Sequence, residues 1–321
     1  MQSFQELSEL YNQFFADPHF PEKPGSLYEP NAYFLQSGGK RIRPVLVLMG
    51  NELFDEIRPD SWYIANAIEL FHNFTLMHDD IMDNSQMRRG MPTVHVRNGL
   101  NTAILSGDVM LVKAFEYLNK IERKYSKQVF DEFCHVAAEV CEGQQMDMDF
   151  EHEDGVTLED YKEMIRRKTA VLLGASLRLG AVAGGAGKGN QETIYNFGEA
   201  VGMAFQVQDD YLDAFAEQAK FGKRKGGDII QNKKTFLTLH MQNVANDSQK
   251  EQLRLLETKS DDEKVNGVLQ IMQDCGVDEW AKKLKQDYYD TAMEHLDNIA
   301  VVSGRKKQLT ELANFLLDRD H

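Results

Sequence analysis

The sequence predicts an all-α protein, a single large helical bundle, on three observations. Apolar residues return at helical spacing along most of the chain, strand-type alternation is scarce, and only seven prolines interrupt 321 residues. That length supports a substantial core in one large helical domain or two smaller ones. With no low-complexity linker and no clear short repeat, residues 1–321 read as one domain.

The elements follow in order. The opening "MQSFQELSELYNQFF" is amphipathic and acidic. Leu35, Ile42, Val45, Leu46 and Met49 begin one apolar stripe, and Ile64, Ala67, Ile68, Phe71, Leu76 and Met77 carry another into a group of aspartates. Thr157 with Asp160 three residues on forms a capping box. It predicts a long helix through "LEDYKEMIRRKTAVLLGASLRLGAVAGG" that ends in glycines. Residues 192–217 and 277–300 show the same period. "GGAGKGN" at 184–190 has no Ser or Thr after Lys188 and no strand before it, so it reads as a helix–helix connection instead of a phosphate loop.

Composition narrows the function. Hydrophobic residues make up 42%, which suits a globular protein, and the net charge of −15 excludes nucleic acid as the main partner, because phosphate backbones demand a basic footprint. No apolar run reaches the roughly 18–20 residues that span a bilayer. The start lacks the basic and apolar regions of a signal peptide. Cys134, Cys141 and Cys275 are odd in number and lack C-x-x-C spacing, which predicts buried free thiols in a reducing compartment. The expected location is the cytoplasm.

The chemistry concentrates in "HDDIMDNSQMRRGMPTVH", residues 78–95. Asp79, Asp80 and Asp83 crowd within five residues, a repulsion that cations must neutralise. On a helix Asp79 and Asp83 lie one turn apart on one face, with Asp80 turned aside. Carboxylates so placed can share Mg2+, which takes a few carboxylates plus phosphate oxygens and water. A solvated acidic patch is the plainer reading, but "FQVQDDYLD" repeats the spacing with Asp209, Asp210 and Asp213, again after an apolar segment. Cations flank both groups in this acidic chain. "SGGKRIRP" carries Lys40 and Arg43, Arg88 and Arg89 follow the first motif, and Lys168 lies in "RRKTA". "FGKRKGGDIIQNKKTFL" supplies Lys223, Lys233 and Lys234. Acid, magnesium and base together read as diphosphate recognition.

From "GGKRIRP" to "NKKTFL" the sequence resembles the trans-isoprenyl diphosphate synthases. Their G-G-K-x-x-R-P, D-D-x-x-D-x-x-x-x-R-R-G-x-P-T-V-H, K-T, F-Q-x-x-D-D-x-x-D, G-K…G-G-D-I and K-K-T motifs all stand here in order. The resemblance implies the isoprenoid synthase bundle with a central active-site cavity, and a homodimer joining isopentenyl diphosphate to an allylic diphosphate. It implies that Lys40, Arg43, His72 and Arg89 hold the isopentenyl diphosphate. Arg88, Lys168, Lys223 and Lys233 would hold the allylic diphosphate, with Thr169 and Gln206 nearby. Asp79, Asp83 and Asp209 would coordinate three Mg2+ ions, supported by Asp80, Asp210 and Asp213. Asp79, Asp83, Asp209, Lys168 and Arg88 form the expected catalytic set. His72 and Gln206 also fit satisfied polar positions on helices, and Lys234 also fits a solvent-exposed site.

Product length depends on the residues before Asp79. Ideal geometry puts Thr75 nearly below Asp79, with Phe71 and Phe74 on the neighbouring stripe, so spacing alone does not choose the floor. In the resembling family, an aromatic at the position of Phe74 without one at Thr75 marks geranylgeranyl-forming enzymes. This implies C15–C20 products, leaning to C20. Three rivals remain. Glu69-Leu-Phe-His72 and Glu132-Phe-Cys-His135 have the Glu-x-x-His spacing of helical di-iron proteins, but iron leaves the lysines and both Asp motifs unexplained. A class I terpene cyclase needs a different second metal motif, and a non-catalytic partner subunit should show decayed motifs.

Overall fold

The computed structural model describes residues 1–216 and 226–317. The described chain is almost entirely helical. In order it forms α1 (Phe4–Phe15), α2 (Gly25–Gln36), α3 (Ile42–Glu52), α4 (Pro59–Met82), β1 (Met87–Arg88) and β2 (Met91–Pro92). Then come α5 (Val94–Asn98), α6 (Leu100–Leu118), α7 (Arg123–His152), α8 (Leu158–Ile165), a π-helical turn (Arg166–Ala170), α9 (Val171–Ala183) and α10 (Lys188–Phe215). The rest is α11 (Gly227–Ile230), α12 (Phe236–Val244), α13 (Asp247–Leu256), α14 (Asp261–Asp274), α15 (Val277–Asn298) and α16 (Ser303–Leu317). No helix among the described residues is long and apolar enough to cross a membrane.

Contacts divide the chain into two compact units. The first comprises Met1–Ala137, Leu173–Tyr195 and Ile299–Gln308; the second comprises Ala138–Leu172, Asn196–Asn298 and the chain from Leu309. Helices α7, α9, α10 and α16 contribute residues to both.

In the first unit α4 packs along α6 and against α3. Ile64, Ile68 and Phe71 of α4 are buried on one stripe, but so is every residue between them, so α4 is enclosed on all sides there; Met77, off that stripe, is buried as well. Glycine lets α3 cross α9 at backbone contact: a Cβ on Gly180 would lie 1.9 Å from the Val47 carbonyl oxygen. In the second unit Tyr161 meets Phe236 edge-on at 4.9 Å, within a core that includes Met164, Val207, Leu269 and Met272.

Several sequence expectations change. The capping box of Thr157 and Asp160 forms, but the helix it starts does not run unbroken to the glycines. It widens at Arg166–Ala170, because carboxylates and close helix contacts hold that turn open. Leu35 belongs to α2, since Gly38 and Gly39 take positive φ and end the helix before Ile42. The connection after α9 is only Gly184–Gly187, and α10 already starts at Lys188. The three cysteines are free, but Cys141 is exposed and the others are half-buried. A short hairpin appears where a loop would be read: Arg89 (φ 50°) and Gly90 (φ 77°) both turn left-handed between the paired Arg88 and Met91, the form that suits a two-residue hairpin.

Candidate active site

The first acidic motif closes α4. The Asp83 N–H donates to the Asp79 carbonyl at 2.8 Å, so these two residues stay one turn apart, with Asp83 at the exposed end. Asp80 points inward and is buried. Its Oδ1 accepts from Arg88 Nε at 2.8 Å, and burial, partly offset by Arg88, raises its pKa. The hairpin explains how adjacent arginines serve different neighbours. Arg88 turns to Asp80, while Arg89 donates to the Gly38 carbonyl. Gly39 is required there, since its φ is +146° and a Cβ would meet the Arg89 guanidinium at 2.8 Å.

Beside this glycine pair, Arg43 Nη1 donates to His72 Nε2 at 3.1 Å. Burial first, then Arg43, Arg89 and other arginines, holds the His72 pKa well below normal, so the ring is neutral. Arg43 is itself lowered to about 10 by burial and by Arg89, against the pull of Glu69, and its Nε is enclosed without a partner. Lys40 is exposed between Gly39 and Arg41. Arg41, between the two predicted cations, is different. It is buried in an ion pair with Glu69, donates to the Leu35 carbonyl at 3.2 Å and lies over the Phe15 ring. Arg41 gives no signal in the sequence, because only burial separates it from its solvent-facing neighbours, and Glu69, read there only for its di-iron spacing, is its partner.

The second unit holds the other motif. Asp210 is buried among three donors: Gln206 Nε2 at 2.9 Å, the Tyr161 hydroxyl at 3.1 Å and the Phe236 N–H at 3.1 Å. Burial nonetheless raises its pKa to about 7. Asp213 accepts from the Asp228 N–H at 3.0 Å and so anchors the Gly226–Asp228 turn. The middle aspartate of each motif thus faces protein, and Asp79 and Asp209 stay half-exposed.

Lys168 and Thr169 lie in the π turn. Lys168 pairs with Asp147 of α7, a partner with no sequence signal. Lys233 is exposed, its N–H donating to the Asp228 carbonyl. Lys234 instead caps α7, donating to the Phe150 and Glu153 carbonyls. Lys223 lies outside the described residues.

The candidate floor residues sit together on α4. Phe71 is buried against Phe133 edge-on at 5.4 Å, Phe74 is half-buried 5.9 Å from Phe71 and 4.7 Å from His78, and Thr75 donates to the His72 carbonyl. A cavity of about 540 Å3 opens beside Phe15, His19, Phe20, Tyr28 and Arg41, and no predicted site residue lines it.

The donor chemistry fits magnesium better than iron. Among the described residues no three His, Cys, Asp or Glu side chains gather into a metal site. The paired motifs offer carboxylate oxygens alone, the donors that a hard ion such as Mg2+ takes together with water and phosphate oxygens. Glu69 and Glu132 of the di-iron spacing are committed to Arg41 and Arg178.

Comparison with known proteins agrees with this chemistry. Residues 24–274 match the family model described as polyprenyl synthetase. A geranylgeranyl pyrophosphate synthase of Geoglobus acetivorans is 36% identical over 99% of this chain and 98% of that protein. A geranylfarnesyl diphosphate synthase of Natronomonas pharaonis is 34% identical, over 98% and 96% respectively. The crystal structure of geranylgeranyl pyrophosphate synthetase from Pyrococcus horikoshii superposes with a TM-score of 0.91 at 35% identity, covering 98% of both chains. Motifs, all-helical architecture and full-length similarity lead to one conclusion: the chain belongs to the polyprenyl synthetase family.

Proposed function

We propose that this prenyltransferase extends allylic diphosphates with isopentenyl diphosphate to C15–C20 products, chiefly geranylgeranyl diphosphate. The supporting observation is Arg43. In a chain of net charge −15, this guanidinium is paired with a neutral histidine, and its Nε is enclosed without a partner. Such a group is built to receive an anion. Lys40, Arg43, His72 and Arg89 bind the isopentenyl diphosphate in this reading. Arg88, Lys168, Lys223 and Lys233, with Thr169 and Gln206, bind the allylic diphosphate.

Asp79, Asp83 and Asp209 would hold three Mg2+ ions, with Asp80, Asp210 and Asp213 supporting them. When bound, the metal neutralises charge on the departing diphosphate. The cationic side chains act in the same sense: Lys168 and Arg88 stabilise negative charge as the allylic carbon–oxygen bond breaks. Apolar neighbours such as Phe74 exclude water from the allylic cation, and the Phe205 ring face offers it a π surface. The isopentenyl double bond then attacks, and the proton lost goes to the released diphosphate.

We read residues 1–321 as one domain, because four helices share residues between the two compact units. We also infer a cytoplasmic homodimer. Helix α6 leaves Leu100, Leu105 and Val112 more than half exposed, beside Phe130 of α7, an apolar face that a second copy would cover.

Incubation of purified protein with Mg2+ and both diphosphates tests the function, with Asp79→Ala and Asp209→Ala as controls. Each should abolish turnover while the fold survives, since both carboxylates are half-exposed and outside the core. Substantial turnover by either variant at saturating Mg2+ would refute the metal assignment.

A further inference from the structure

The π turn Arg166–Ala170 is clamped by two glycines. A Cβ at Gly143 on α7 would lie 2.3 Å from the Lys168 backbone nitrogen, and one at Gly202 on α10 would lie 2.7 Å from the Ala170 Cα. The three consecutive cations inside the turn are treated differently. Arg166 donates to Glu163 of α8 at 2.8 and 3.0 Å, to Glu139 of α7 at 3.0 Å and to Glu199 of α10 at 3.3 Å. Arg167 donates to Glu163 at 2.6 Å and to Glu142. Lys168 has Asp147. Four glutamates therefore surround two guanidinium groups, an excess of two negative charges that leaves neither arginine attractive to a diphosphate. A widened turn interrupts the regular helical ladder and persists only where its surroundings over-determine it. One guanidinium tied to three helices does that.

We propose that Arg166 is a positioning residue that, with its glutamates, holds the widened turn so that Lys168 is presented to the allylic diphosphate. This rests on the reading of Lys168 given above. Arg166 touches no substrate; it acts through the backbone of the turn.

The test is a double-mutant cycle read by steady-state kinetics. Arg166→Met should lower kcat/KM for the allylic substrate about 10- to 100-fold, the scale of a misplaced binding group, and leave the KM for isopentenyl diphosphate unchanged. In a Lys168→Ala background the same substitution should cost less than about twofold, because the residue it positions is gone. Glu163→Gln, which leaves Arg166 bonded to Glu139 and Glu199, should give a smaller loss of the same kind and serves if Arg166→Met does not fold. Equal losses in both backgrounds, or unchanged allylic kinetics, would overturn the proposal. Wild-type allylic kinetics in Lys168→Ala alone would instead refute the role of Lys168.

Discussion

Replacing Phe74 by alanine should lengthen the product by one isoprene unit. Phe74 stands five residues before Asp79 and is half-buried, and the next obstruction along the helix is the Phe71 ring, 5.9 Å away. That separation is close to one helical turn, about 5.4 Å, which is also about the length of an isoprene unit. Removing the Phe74 ring moves the floor back to Phe71, and C20 products give way to C25. Phe71 is 1% exposed, and Phe133 backs it at 5.4 Å, so the growth stops there. Full burial of a phenylalanine is worth about 3–5 kcal/mol on truncation, and half-burial of Phe74 brings its cost to about 2 kcal/mol. Chromatography of dephosphorylated products gives the chain length, and urea unfolding gives the cost. Phe71→Ala is the control: it should destabilise more, yet leave the product at C20 while Phe74 still blocks the way. An unchanged product profile in Phe74→Ala, with only the loss of stability, would refute the floor assignment.

The two diphosphate subsites should separate kinetically: Lys40→Ala or Arg43→Ala raises the KM for isopentenyl diphosphate, while Lys168→Ala impairs the allylic substrate. If Lys40→Ala affected only the allylic substrate, the assignments would be reversed. Arg41→Met leaves Glu69 buried beside Asn73 without its cation and should cost about 3–5 kcal/mol in urea unfolding. Arg41→Met with Glu69→Leu should cost less than Arg41→Met alone, and an equal or greater loss would show that packing dominates. Stability should also fall with acid through His19. Its Nε2 donates to the Phe15 carbonyl, its Nδ1 accepts from the Tyr117 hydroxyl, and burial lowers its pKa to about 4. The unfolded chain binds a proton below about pH 6.5 that the folded chain refuses until about pH 4, so up to about 3 kcal/mol is lost across that window and no more below it. In His19→Gln that component of the acid sensitivity should disappear; an unchanged pH profile of stability from pH 7 to 4 would refute it.

Helical class, the paired aspartate spacing and the accompanying lysines and arginines were legible in the chain itself. Each depends on local period and residue type: an i, i+4 pair on a helix faces one way wherever the helix goes. Even Asp80, set aside by helical geometry, is found turned from Asp79 and Asp83. Other features were decided by packing. Nothing in "GGKRIRP" separates Arg41, buried on Glu69, from Arg43, paired with a neutral histidine, because α3 starts only at Ile42 and a left-handed Arg41 redirects the chain. Lys234 reads as one more cation beside Lys233, yet it closes the end of a helix more than 80 residues earlier in the chain. The widened turn around Lys168 has ordinary helical periodicity and no glycine of its own. Its shape comes from Gly143 and Gly202 and from glutamates on three helices, contacts between residues far apart in sequence. Spacing along one helix determines which groups share a face; only the packing of other helices against that face decides which of them stay available for substrate.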